Sequence, residues 1–135
     1  MVKKRKAEAD ERFNIAKKIL DRAISLGIDK KNVFVDCLTL TASAEQEGVM
    51  ETVKALKRVK EELGLKTVLG VSNISFGLPR RDIINSNFFA MALNSGLDAC
   101  IINPLAESMM DAYKAFRAIY AYDENCLDYI KGVIK

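Results

Sequence analysis

Residues 67–79 read Thr67-Val68-Leu69-Gly70-Val71-Ser72-Asn73-Ile74-Ser75-Phe76-Gly77-Leu78-Pro79. The first six form a short, mostly apolar run of the length expected for a buried strand. The character then changes at once. Ser72-Asn73-Ile74-Ser75 sets hydroxyl and amide groups directly after the strand, and Gly77-Leu78-Pro79 leads into a region where Pro79 suits a helix start. A buried strand that ends in polar side chains and passes into a helix is one β/α unit, with its ligand-facing end on the polar side.

The same plan recurs on both sides. Upstream, Phe13, Ala16, Leu20, Ala23 and Ile24 fall on one helical face that Gly27 closes, and residues 33–38 form an apolar run carrying Asp36 and Cys37. Ser43 with Gln46 three residues later reads as a capping box. It opens a helix striped by Val49, Val53, Leu56, Val59 and Leu63 and ended by Gly64. Downstream, Ile84, Phe88, Met91 and Ala92 share a face, Gly96 ends that helix, and residues 99–102 form a third apolar run. A helix over about 108–120, with Ala112, Ala115, Phe116 and Ile119 on one side, and a short helix from Asp123 onward complete the chain. The order α-β-α-β-α-β-α-α with continuous apolar strands predicts an α/β fold with a parallel sheet.

Composition is that of an ordinary globular chain: 135 residues, 50% hydrophobic and 29% charged. That is enough for one domain but short for a closed barrel of eight β/α units, which needs roughly 200 residues or more. The net charge of +3 arises mainly from Lys3, Lys4, Arg5 and Lys6. No aromatic residues interleave with these charges and no recognition motif follows, so a solvated helix start fits better than a nucleic-acid-binding arm. No run reaches 18 apolar residues, and no secretory leader is evident, which predicts no membrane span and a cytoplasmic protein. The three cysteines, Cys37, Cys100 and Cys126, form no CxxC pair and read as reduced thiols, the first two as small core residues. Histidine is absent, which removes His-based triads, most zinc sites and imidazole acid/base chemistry. No metal site is expected.

Each strand ends in a polar residue: Asp36, then Asn73, then Asn103. At the carboxyl ends of parallel strands these lie on one face, where α/β proteins bind ligands. One carboxylate and two amides suit a heterocycle bearing both donors and acceptors. Asp36 also fits a cap on the segment that follows it, and Asn103 before Pro104 fits a loop opening as well as it fits a ligand contact. Asn73 is harder to explain as loop structure, because a bare β-to-α connection needs no such density of amides and hydroxyls.

Residues 70–79 followed by Arg81 closely resemble the signature of the methyltetrahydrofolate methyltransferases, the family that includes the folate domain of cobalamin-dependent methionine synthase. Val35-Asp36-Cys37-Leu38 is similar to that family's preceding strand, and Gly96-Leu97-Asp98-Ala99 with Ile101-Ile102-Asn103-Pro104 to the following one. The resemblance runs from about residue 8 to near the end of the chain. It implies a partial TIM-type (β/α) barrel: residues 1–135 as the C-terminal part of a pterin-binding barrel domain, holding its last three β/α units.

The resemblance further implies methyl transfer from 5-methyltetrahydrofolate to a corrinoid (cobalamin-type) cobalt. Asn73 would act catalytically by hydrogen-bonding the pterin nitrogen that releases the methyl group. Asp36, Asn73, Asn103, Ser72 and Arg81 would bind substrate, and Phe76 would face the corrinoid. Arg81 fits equally well as a residue that orients the loop or as a solvated helix-start residue. Lacking histidine, the chain would meet a corrinoid carried by another protein or domain. The earlier strands have no counterpart here, so the expected partners include the N-terminal part of the barrel or a second copy, meeting on barrel-facing Val33, Val35, Val68 and Ile101. The alternative to assembly is a monomer in which the last helix, around Leu127, Ile130 and Val133, covers that surface. Two other functions stand beside methyl transfer: a non-catalytic pterin-binding or assembly subunit, and a dihydropteroate-synthase-like enzyme, which the Ser72-Asn73 loop fits less well.

Overall fold

The computed structural model describes residues 8–134. The basic cluster Lys3, Lys4, Arg5 and Lys6 lies outside the described residues. Helix α1 (Ala9–Ser25) leads to strand β1 (Phe34–Asp36), then to a one-turn helix α2 (Ala42–Glu45) and to α3 (Val49–Arg58). Strand β2 (Lys66–Gly70), helix α4 (Arg81–Asn94), strand β3 (Ala99–Ile101), helix α5 (Glu107–Ile119) and helix α6 (Leu127–Val133) follow. The three strands form one parallel sheet in the order β1-β2-β3, with Asp36 opposite Val68 and Gly70 opposite Ile101. The fold is therefore α/β with a parallel sheet, as the apolar runs predict.

The core forms where helices cover one face of this sheet. Side chains alternate across a strand, so Val35, Thr67, Leu69 and Cys100 share that face. Leu69 and Thr67 are completely buried there, against Ala55, Leu56 and Val59 of the α3 stripe and Phe88, Phe89 and Ala92 of α4. The stripe outlasts α3 as a wider π-helical turn, Val59–Leu63, which ends at Gly64 with φ +61°. Thr67 also joins the strands' entry points. Its hydroxyl donates to the Gly96 carbonyl at 3.0 Å, and its N–H donates to Asp98 Oδ2 at 2.9 Å.

The opposite face is open. Phe34, Asp36, Lys66, Val68, Ala99 and Ile101 have the other parity. Phe34 is 48% and Ile101 70% exposed. The expected inward set Val33, Val35, Val68 and Ile101 is thus half right. Val33 and Val35 turn toward the helices, and Phe34 takes their place beside Val68 and Ile101. Apolar side chains stand on both sides of β1, so composition leaves its parity undecided, and pairing with β2 decides it. The last helix does not cover this face: α6 packs against α5, with Lys114 Nζ donating to the Gly132 carbonyl at 2.9 Å, and Leu127 and Ile130 remain exposed.

Several local expectations are corrected. Ser43 is no N-cap: it lies inside α2, and its hydroxyl donates to the Phe76 carbonyl at 2.7 Å. Thr41, just before α2, donates to the Asn73 carbonyl at 3.1 Å. The β1–α2 and β2–α4 loops lie side by side at one end of the sheet, so these hydroxyls bridge loops instead of closing a helix. Helix α4 begins at Arg81, with Pro79 upstream of it and Arg80 at φ +47°. Ile24, Met91 and Ile119, each expected on a buried helical face, are exposed. The strands are shorter than their apolar runs; β2 stops at Gly70, and Val71–Ser75 winds into a 3₁₀ turn. Among the described residues no helix is long and apolar enough to cross a membrane.

Candidate functional site

The 3₁₀ turn Val71–Ser75 sorts the loop's side chains. With about three residues per turn, positions i and i+3 lie above one another. Val71 and Ile74 point into the core and are buried. Ser72 and Ser75 share a second side, where Arg81 meets them. Its Nε donates to Ser75 Oγ at 2.8 Å, and its Nη2 to the Ser72 carbonyl at 2.9 Å. Asn73 and Phe76 share the third, exposed side. The alternation of apolar and polar residues in this loop thus holds Asn73 up on a turn fixed from beneath and from one flank.

Asn73 stands beside the end of β2. Gly70, the last residue of that strand, has the parity of the open face. A Cβ placed on Gly70 would lie 3.4 Å from Asn73 Nδ2, in van der Waals contact, so the amide stands directly over the end of the strand. Among the described residues no hydrogen bond engages the Asn73 side chain, whereas its backbone carbonyl accepts from Thr41. The amide is free to meet a ligand.

Asp36 closes β1 on the same face and at the same end. Its Oδ1 accepts the N–H of Leu38 at 2.8 Å, and Leu38 is held at φ +61°. Oδ2 makes no hydrogen bond among the described residues, so Asp36 both closes a turn and presents a free oxygen. The neighbouring Cys37 is buried on the helix side, where burial, with the Asp36 charge adding to it, pushes its thiol up to about 12. Cys37 is an inert core residue at neutral pH.

Asn103 is placed differently. Its Oδ1 accepts the N–H of Leu105 at 3.0 Å, the local turn typical of Asn at a loop opening. It lines a cleft of about 330 Å³ between the β2–α4 and β3–α5 connections, together with Ser72, Arg81, Asn85 and Ser108. The structure therefore brings Ser72, Arg81 and Asn103 together around one hollow, and Asp36 and Asn73 together along the end of the open face. All lie at the carboxyl end of the sheet. The Arg81 guanidinium stands 4.7 Å from the centre of the Phe76 ring, and that ring is half exposed at the rim of the loop.

Other contributors escape a sequence reading. Thr41 and Ser43 tie the two loops together. Asn85, in the cleft wall, buries its Oδ1 without a hydrogen-bond partner among the described residues. Arg12 of α1 is buried beneath the β1–α2 loop and donates to the carbonyls of Cys37 and Leu38. Only Arg12 left a signal, a charged residue on the stripe shared by Ala16, Leu20 and Ala23.

Comparison with known proteins identifies the family. The profile described as pterin binding enzyme matches residues 2–103. A methylcorrinoid:tetrahydrofolate methyltransferase of Eubacterium limosum is 25% identical over 124 residues, which are 91% of this chain and 46% of that protein. A methionine synthase of Mycobacterium leprae (strain TN) is 33% identical over 102 residues, 70% of this chain and 8% of that protein. The methionine synthase of Mycobacterium tuberculosis is 33% identical over 103 residues, 70% of this chain and 9% of that protein. The chain spans less than half the length of each of these curated relatives.

Proposed function

The chain belongs to the pterin-binding enzyme family, and from that premise we propose that it is the C-terminal part of a barrel domain that moves a methyl group between 5-methyltetrahydrofolate and the cobalt of a corrinoid. The observation that carries this reading is the free Asn73 amide beside side-chain-less Gly70, at the same sheet end as Asp36. The printed names of the relatives, a methylcorrinoid:tetrahydrofolate methyltransferase and two methionine synthases, favour methyl transfer over condensation of the dihydropteroate-synthase type.

The chemistry asks little beyond position and charge. The methyl group leaves a tertiary pterin nitrogen, which keeps the bonding electron pair and is a poor leaving group unless it gains a proton or a strong hydrogen bond. The Asn73 amide, able to donate or accept, stabilises that nitrogen as its protonation changes along the reaction. Asp36 Oδ2 accepts from the guanidine-like edge of the pterin and fixes the ring's orientation. Ser72, Arg81 and Asn103 shape the adjoining cleft for the rest of the folate. The corrinoid, carried by another protein or domain, supplies the reduced cobalt that accepts the methyl group. Phe76 offers that carrier a flat apolar face at the loop rim.

The open sheet face requires a complement. Exposed Phe34 and Ile101 and the unpaired outer edges of β1 and β3 are the features that soluble sheets cover. The rest of a barrel, or a second copy of the chain, would cover them. The same face favours the second reading, a subunit that binds pterin and assembles without itself catalysing. Methylation of reduced cobalamin, followed by its absorbance change with 5-methyltetrahydrofolate as donor, tests the proposal. Transfer that depends on Asn73 supports it. Condensation of a pterin pyrophosphate with p-aminobenzoate instead would replace it.

A further inference from the structure

Arg12 has no place in the chemistry above, yet it is the most deeply buried charged side chain next to the site, 8% exposed on a face otherwise made of Ala and Leu. Its two Nη1 protons are shared among the carbonyl oxygens of Cys37 at 2.9 Å and Leu38 at 3.1 Å and Thr52 Oγ1 at 2.8 Å. Thr52 Oγ1 in turn donates to the Leu38 carbonyl at 2.8 Å. Nε and Nη2 are buried without partners among the described residues. Burial lowers the pKa of this guanidinium, and the nearby acidic groups, Glu51 and Glu45 among them, oppose the shift. A residue chosen for packing alone would be apolar, because a buried charge with unsatisfied donors is costly.

The hydrogen bonds lead from Arg12 to Asp36. Leu38 adopts φ +61°, a left-handed conformation that its bulky side chain disfavours. Its N–H belongs to the same planar peptide unit as the Cys37 carbonyl, and it donates to Asp36 Oδ1. We propose that Arg12 is a positioning residue for Asp36: by holding the Cys37 carbonyl from below, it fixes the planar Cys37–Leu38 peptide unit, whose N–H on the other side aims the Asp36 carboxylate at the pterin. The pterin end of this relay rests on the function proposed above; the Arg12–Leu38–Asp36 geometry does not.

Two variants of the full chain test it. Arg12→Met removes the donors but keeps the bulk. Thr52→Val removes only the hydroxyl that Arg12 and Leu38 share, and carries the comparison if Arg12→Met does not fold. Hydrogen exchange of the Leu38 amide, read by NMR, should accelerate about tenfold in either variant while the Leu69 amide is unchanged. An unchanged Leu38, or equal acceleration at Leu69, would overturn the relay. Binding of 5-methyltetrahydrofolate should weaken about tenfold in Arg12→Met, but less than about twofold when Asp36→Asn is already present, the signature of coupled sites. An equal loss in both backgrounds would make Arg12 merely structural. A wild-type chain that binds no folate even when the first five β/α units are supplied would overturn the pterin reading, with the exchange comparison still deciding the relay.

Discussion

Arg81 Nε donates to Ser75 Oγ at 2.8 Å, and that hydroxyl is completely buried. With the second bond from Nη2 to the Ser72 carbonyl, one side chain at the start of α4 ties down the turn that carries Asn73. Lysine cannot make both bonds, because it lacks the planar fork. Arg81→Lys should lower stability by about 1–2 kcal/mol, the scale of charge-assisted hydrogen bonds lost at a partly buried site. It should also slow methyl transfer. Denaturant melts and transfer rates on the same preparation check both.

Asn73 gives the opposite pattern. Its amide is exposed and unbonded among the described residues, so Asn73→Ala should change stability by no more than about 0.5 kcal/mol. Transfer from 5-methyltetrahydrofolate should fall by about 10²–10³, the usual loss of a group that meets charge developing in the transition state. A melt unchanged beside a collapsed rate is the expected pair of results.

The Cys37 thiol yields a pH signature. Its folded pKa is raised from 9.0 to about 12, chiefly by burial. The folded state therefore keeps a proton that the unfolded chain releases. The resulting stability is complete below pH 9 and is lost as pH rises from about 9 toward 12. Cys37→Ala should flatten the stability profile across that window. At pH 8 a thiol reagent should label exposed Cys126 quickly and leave Cys37 unlabelled in the native protein.

The two sheet faces should respond differently to substitution. Leu69→Ala on the helix-covered face should cost about 2–5 kcal/mol, as for other buried leucines. Phe34→Ser on the open face should cost the isolated chain under about 0.5 kcal/mol. It should also weaken association. Light scattering at low micromolar concentration is expected to give a mass above the 15.0 kDa of one chain. Phe34→Ser should move that mass toward the monomer.

Much of this architecture was legible in the residues. Three apolar runs separated by helical stripes, each stripe closed by Gly27, Gly64 or Gly96, place the strands and their parallel order. The density of polar groups over 72–75 marks the loop. What escaped depends on partners distant in sequence. Ser43 followed by Gln46 satisfies a local capping pattern, but the Phe76 carbonyl, 33 residues away, takes its hydroxyl. The faces of Val33 and Val35 depend on the pairing of a three-residue strand. Arg12 stands on the α1 stripe as an odd charge, but what it holds is visible only once the β1–α2 loop settles over it. Asn103 keeps both of its readings: its side chain closes a turn and also lines the cleft.

The central claim is that this chain holds the methyl-releasing end of a pterin barrel and needs the remainder of that barrel to work. The most direct measurement is the rate of cobalamin methylation from 5-methyltetrahydrofolate, by the chain alone and mixed with a separately expressed part carrying the first five β/α units. The mixture should exceed the chain alone by about 10²-fold or more, as expected when missing contacts position the substrate, and Asn73→Ala should abolish the gain. Full activity from the chain alone, or no transfer from the mixture, would contradict the account.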